Sequence, residues 1–141
     1  MRIDAIADSS FLYSLYNPTA TQHQACLQVA IQYTHIMIPD VTLTEVLYLY
    51  QKIHGVRVAA KFLQSFAQQP SLLLSRATRR DLNRAGEVMS SYAQGGTQLD
   101  FVDCCIVATA ERYTVTRICT LDRRDFSIIR PLHSLHFILL P

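Results

Sequence analysis

Eleven carboxylates are few for a chain of 141 residues, and four of them fall where side chains can act together. Asp8 directly follows a short apolar run, Asp122 follows another, and Glu45 and Asp103 each occupy the first turn of a helical pattern. If the apolar runs are strands of an open α/β sheet, all four acids project from the carboxyl ends of the strands, where such folds place their ligands. Asp100 and Asp125 lie a turn or less from Asp103 and Asp122 and can join as outer ligands. Carboxylates gathered this closely repel one another and stay ionised only beside a cation. Oxygen donors select Mg²⁺ or Mn²⁺, whereas the five histidines show no spacing for zinc. Such an ion acidifies a water, holds it in line with a phosphorus atom and stabilises the leaving oxygen, so the implied reaction is phosphodiester hydrolysis.

Each acid also has a plainer reading. Glu45 fits the N3 position of a capping box, Thr42-Leu43-Thr44-Glu45, and Asp100 with Asp103 fits an N-cap and its N3 partner. Asp122 and Asp125 suit a turn. Asp8 is harder to explain away, because an acid directly after a buried strand must be solvated or paired. Ser9, Ser10 and Thr120 can cap helices or orient an outer-shell water. Arg123, Arg124 and Arg130 flank the acids and can hold a polynucleotide backbone, and Arg76, Arg79, Arg80 and Arg84 form a second basic group; solvated helix faces account for either run. Phe11, Tyr48 and Tyr50 can stack on bases or pack in the core, with packing the stronger reading.

The elements that must position these groups alternate. Apolar runs at Ile3–Ala7, Ile36–Ile38, Ser71–Ser75, Arg117–Leu121 and Phe137–Leu140 read as strands. Between them lie helical patterns over Phe11–Tyr16, from a Thr21 cap to Tyr33, from Thr42 to Ile53 with Gly55 ending it, over Val58–Phe66, from Thr78 to Tyr92, and from Asp100 to Tyr113. This order predicts a three-layer α/β fold, a mainly parallel sheet of about five short strands with helices on both faces, across residues 1–141 as one domain.

Composition narrows the class. Half the residues are hydrophobic, enough for a real core, and the net charge of +2 creates no field that by itself implies a polyanion. Eleven of the thirteen basic residues are Arg, which favours bidentate phosphate or carboxylate contacts. Four cysteines without a C-x-x-C pair suit neither a zinc site nor a disulfide framework and read as reduced, mostly buried thiols. No apolar run reaches membrane-spanning length and Asp4 and Asp8 interrupt any signal-peptide core, so a cytoplasmic protein with no membrane association is expected.

Several motifs, in this order, carry a resemblance: Asp8-Ser9-Ser10-Phe11-Leu12, then Leu43-Thr44-Glu45-Val46-Leu47, then Leu99-Asp100-Phe101-Val102-Asp103 leading into Ala108-Thr109-Ala110-Glu111-Arg112, then Thr120-Leu121-Asp122-Arg123-Arg124-Asp125-Phe126. Together they resemble the PIN domain, and within it the VapC-type toxins of bacterial toxin-antitoxin pairs, over nearly the whole chain. The resemblance implies a PIN-like fold and a Mg²⁺-dependent endoribonuclease, a homodimer restrained by a cognate antitoxin. It implies Asp8 and Asp103 as principal metal ligands, Glu45 as ligand or water-orienting base, and Asp122 as a further ligand. An apolar surface near Tyr48, Leu49 and Val58 suits an amphipathic antitoxin helix. The alternative is a catalytically silent PIN-like module that binds RNA or protein. A phospho-acceptor receiver domain would need a Lys beyond a late strand, and Lys52 and Lys61, the only lysines, are not there. A haloacid-dehalogenase-type phosphatase would need an acid at position 10, which is Ser10.

Overall fold

In the computed structural model, which describes residues 1–141, five strands form one sheet: β1 (Ala5–Ala7), β2 (Ile36–Pro39), β3 (Leu72–Ser75), β4 (Arg117–Cys119) and β5 (Ile138–Leu140). They lie in the order β3-β2-β1-β4-β5 and every pairing is parallel. Side chains alternate across a strand, and here the alternation sorts the core into two layers. Ala5, Ala7, Ile36, Ile38 and Cys119 enter one buried cluster, while their neighbours Ile6, Met37 and Ile118 enter the other. Helices α1 (Ser9–Leu15), α2 (His23–Gln32), α3 (Asp40–His54) and α4 (Val56–Ala67) cover the first face through Phe11, Cys26, Val46 and Phe62. Helices α5 (Arg79–Gln94), α6 (Phe101–Tyr113) and α7 (Arg123–Ile128) cover the second through Val88, Ile106 and Phe126. No helix is long and apolar enough to cross a membrane.

Register aligns the carboxyl ends. Ile6 pairs with both Met37 and Ile118, Ala7 with Cys119, and Pro39 with Ser75. Asp8, Asp40, Arg76 and Thr120 are the residues that next leave β1, β2, β3 and β4, so all four emerge along one edge of the sheet.

Three local expectations change. The capping box at Thr42 does not form: β2 runs straight into α3 through Pro39, whose φ of −59° already suits a helical entry, and Asp40 supplies the first-turn acid that favours the helix N-terminus. Glu45 therefore lies in the second turn with its carboxylate released from capping. The strand expected to reach Leu121 stops at Cys119, and α7, six residues long, is too short to show a hydrophobic period in the sequence. By contrast Gly55 separates α3 from α4 as expected, at φ +91°, a conformation that would strain any residue with a Cβ.

Polar contacts lock α5 to α6. Thr78 and Asp81 form a reciprocal capping box, and Arg112 grips the Asp81 carboxylate through Nε at 3.0 Å and Nη2 at 3.0 Å while also donating to Ser75 Oγ and the Arg76 carbonyl. Burial opposes ionisation of Asp81, but the Thr78 and Arg112 hydrogen bonds outweigh it and hold the carboxyl below its usual range. Glu111 accepts from Arg84 Nε at 2.7 Å and Nη2 at 3.1 Å and from the Leu132 backbone at 2.7 Å.

The Asp81 side chain is 4% exposed and Arg112 30%, so Arg112→Met strands a carboxylate that water cannot fully reach. Urea unfolding is expected to show a loss of about 2 kcal/mol, largely recovered in the Asp81→Ala/Arg112→Met double variant. A single variant within about 0.5 kcal/mol of the parent would show the pair to be a surface contact.

Candidate active site

Asp8 caps α1 and is 4% exposed. Its Oδ1 accepts from the Phe11 backbone N–H at 3.0 Å and from Ser10 Oγ at 2.7 Å, and its Oδ2 accepts from Thr120 Oγ1. Its own N–H donates to the Cys119 carbonyl at 3.0 Å, joining the turn after β1 to the end of β4. Thr120, fully buried, in turn accepts from the Asp122 N–H at 3.0 Å, and Ser10 Oγ accepts from the Leu121 N–H at 2.9 Å. Ser10 and Thr120 thus position Asp8 and the 120–122 turn together. Burial pushes Asp8 up to about 6; the Thr120, Phe11 and Ser10 hydrogen bonds limit that rise, and the Asp122 charge adds to it.

Asp103 enters from α6. Asp100, the N-cap of that helix, uses Oδ1 to accept the Asp103 backbone N–H at 2.8 Å, so one acid is engaged as a cap while the side chain of the other stays free of hydrogen bonds. Burial, followed by the charges of Asp100, Asp8, Asp125 and Asp122, pushes Asp103 up to about 8. Five acids from three stretches of chain therefore share one electrostatic field. Glu45 joins from α3, where Ser9 Oγ donates to its Oε1. Asp122, Arg124 and Asp125 line a cleft of about 570 Å³ with Gly96, Thr97 and Gln98, a loop that sequence reasoning did not connect to the site.

The acids converge without closing: no three of them, with or without a histidine or cysteine, are near enough to hold a metal ion as they stand. Their lack of cationic partners is the stronger feature. The four ion pairs of the molecule use Asp4, Asp81, Glu87 and Glu111, which leaves Asp8, Glu45, Asp100, Asp103, Asp122 and Asp125 with no basic side chain opposite. Asp40, at the start of α3, is also unpaired, with Oδ1 buried and without a hydrogen-bond partner.

The arginines divide. Arg123 donates to the Pro141 carbonyl at 2.9 Å, Arg124 stays in the acidic cleft, and Arg130 has its backbone N–H on the Tyr92 hydroxyl. Phe11 and Tyr50 are core residues, and the Tyr50 hydroxyl donates to the Tyr13 carbonyl at 2.7 Å; Tyr48 is exposed. All four cysteines are free and buried, Cys104 and Cys105 within the second core layer.

Comparison with known proteins agrees with this architecture. The family model of the PIN domain matches residues 5–130. Ribonuclease VapC26 of Mycobacterium tuberculosis is 24% identical over 139 residues, which cover 96% of this chain and 99% of that protein. The fold also matches M. tuberculosis VapC20, a toxin that cleaves the sarcin-ricin loop, with a TM-score of 0.74 at 16% identity over 86% of this chain and 92% of that one. DNA-bound VapBC of Salmonella typhimurium gives a TM-score of 0.75 at 14% identity over 97% and 98% of the two chains. VapBC2 of Rickettsia felis, bound to a promoter fragment, gives 0.73 at 17% identity over 97% of each. With a sheet of that order, helices on both faces and acids at the carboxyl edge, the chain belongs to the PIN domain family and has the fold of its VapC members.

Proposed function

We propose that this protein is a divalent-metal-dependent endoribonuclease, the toxin of a toxin-antitoxin pair, acting in the cytoplasm as a homodimer and restrained by a cognate antitoxin. The observation that carries this reading is the set of six acids around Asp8 and Asp103 with no basic side chain paired to any of them. A cluster of that kind is costly by itself and becomes favourable once a cation enters. The donor set is entirely oxygen, which suits Mg²⁺ or Mn²⁺, and an ion that keeps several of its waters does not need three ligands already closed around it. Asp8, Asp103 and Asp122 are the residues to hold it. When bound, the ion supplies an acidified water and charge stabilisation at the leaving oxygen of an RNA phosphodiester.

The chain's own groups divide the remaining work. Thr120 and Ser10 fix Asp8 through its two oxygens, and Ser9 fixes Glu45, so both carboxylates hold their direction before substrate arrives. Glu45, half-buried and not engaged as a cap, is placed to orient a water. Arg124 beside Asp122 and Asp125 can take a phosphate next to the scissile one, while Arg123 must first leave the Pro141 carbonyl. The VapBC assemblies of like fold support the antitoxin as partner. Of the apolar surface expected near Tyr48, Leu49 and Val58, Tyr48 on α3 and Val58 on α4 are exposed, with Val56 beside the latter, and Leu49 is half-buried; an antitoxin helix can dock on the exposed ones.

Incubation of antitoxin-free protein with total RNA should give discrete cleavage with Mg²⁺ and none with EDTA, and Asp103→Asn should lower the rate at least about 100-fold. Cleavage that survives EDTA sinks the metal mechanism. RNA binding without Mg²⁺ binding by calorimetry favours the catalytically silent module.

Stability should report the same charges. Asp8 and Asp103 titrate higher folded, at about 6 and about 8, than in the unfolded chain, so the folded state holds the extra protons. Without metal, stability is greatest below about pH 4 as far as these two groups decide it, and is lost as pH rises through their folded values. Mg²⁺ should therefore raise the melting temperature much more at about pH 8.5 than at about pH 5, where protons compete with it. A Mg²⁺ shift equal at both pH values, or unchanged in Asp103→Asn, would place the ion elsewhere.

A further inference from the structure

The cleft of about 570 Å³ beside Asp122 lies between the loop that follows α5 and the residues of α7. One residue holds both of its walls. The Tyr92 carbonyl, in the last turn of α5, accepts the Thr97 N–H at 2.9 Å, and the Tyr92 hydroxyl accepts the Arg130 N–H at 2.7 Å just past α7. Gly96 turns the loop at φ +84°, and Leu99, 6% exposed, anchors its far end in the core. The cleft is therefore shaped before any ligand arrives, and its volume falls in the roughly 300–1,000 Å³ of small-molecule sites. Its polar lining is free. The backbones of Asp122 and Arg124 are engaged, by Thr120 and Ser127, but the side chains of Thr97, Gln98, Asp122, Arg124 and Asp125 make no hydrogen bond within the chain. Arg124 forms an ion pair with neither neighbouring carboxylate. Ile128, 48% exposed, adds an apolar wall.

We infer that this cleft takes one unstacked base of the RNA, with the Gln98 amide and Thr97 hydroxyl on its edge, Ile128 against its face and Arg124 on the phosphate of the same nucleotide. The inference rests on the proposed RNA substrate and adds to it a pocket that sets specificity. An amide, a hydroxyl, carboxylates and a guanidinium offer donors and acceptors together. A bare phosphate uses only the donors and is repelled by the carboxylates, and a cation uses only the acceptors. A nucleobase uses both, because its edge carries donors and acceptors side by side and its flat face needs an apolar wall. Gln98 is exposed, and its amide presents a donor and an acceptor in one plane, the pattern suited to two bonds on a base edge. Asp125 can accept an amino or imino hydrogen of the same base. Asp122 stands both in the cleft and among the acids, so the base belongs to a nucleotide adjoining the scissile phosphate.

The test is titration of the isotope-labelled protein, followed by amide NMR in Mg²⁺, with the four ribonucleoside 5′-monophosphates and with ribose 5-phosphate. At least one nucleotide should shift the Thr97 backbone and Gln98 side-chain amide signals and bind at least about 10-fold more tightly than ribose 5-phosphate. Gln98→Ala should bring the two ligands within about 3-fold of each other without weakening ribose 5-phosphate, whereas Arg124→Gln should weaken both alike. On RNA, the wild-type protein should prefer one base at one position beside the cut. Gln98→Ala should flatten that preference, and Gln98→Glu, which exchanges the amide donor for an acceptor, should move it to a different base. Nucleotides that bind no better than ribose 5-phosphate, or that shift neither Thr97 nor Gln98, overturn the base pocket, as does a Gln98→Glu protein with the wild-type base preference. RNA cleavage that continues in that case leaves the nuclease standing without the pocket. Gln98-dependent nucleotide binding by a protein that cuts no RNA upholds the pocket and sinks the nuclease.

Discussion

Asp8 stands at the carboxyl end of the middle strand of five, 4% exposed, with three hydrogen-bond donors around it and no cation. Neutral donors reduce the cost of burying a carboxylate without cancelling it, which is why the group still titrates well above its usual range. Those donors also set the local architecture. Phe11 contributes the first turn of α1, Ser10 bonds at once to Asp8 and to the Leu121 backbone, and Thr120 connects Asp8 to the Asp122 backbone. The turn after β1 and the turn after β4 are therefore one hydrogen-bonded unit, and a change in either moves both Asp8 and Asp122.

The same separation of charge runs through the whole molecule. Acids with an arginine or histidine partner stiffen structure: Asp81 and Glu111 tie α5 to α6, and Asp4 meets His35 at the opposite end of the strands. Five of the seven acids without one, Asp8, Asp100, Asp103, Asp122 and Asp125, collect where β1, β4 and α6 meet, and Asp40 and Glu45 stand on α3. A net charge of +2 hides this division, because pairing rather than composition decides where a field survives. The α5–α6 contacts serve the site indirectly. They hold α6 in place, and α6 carries Asp103 in its first turn, beside the cap formed by Asp100.

Much of this was legible in the chain because it depends on neighbours in sequence. The alternation of apolar runs with helical patterns placed helices on both faces of the sheet, and Gly55 and Thr78 marked helix ends. The acids were visible because each sits at an element boundary. What stayed hidden depends on distance along the chain. Ser9 and Glu45 are 36 residues apart, Arg84 and Glu111 are 27, and Arg112 and Asp81 are 31; no local pattern announces such meetings. The Thr42 box misled for a local reason: its residues fit the motif, but Pro39 had already started the helix, so the capping donors were inside it.

The side chains that surround Asp8 without bonding to it complete the argument. Cys26 from α2 and Cys119 from β4 both feel its charge, after the larger effect of their own burial, and both thiols are pushed up and stay neutral. Small, neutral and apolar in effect, they fill the core behind the carboxylate and give it no counter-charge. A lysine or arginine at either place would pair with Asp8, lower the energy of the empty protein and extinguish the negative field at the carboxyl edge. None of the eleven arginines reaches an acid of the cluster, although they reach Asp81, Glu87 and Glu111 elsewhere. A fold that pairs Asp4, Asp81, Glu87 and Glu111 and leaves these unpaired keeps stability in reserve for whatever positive charge comes from outside the chain, which on the proposed reading is the metal and the reason the site discriminates between its empty and its working state.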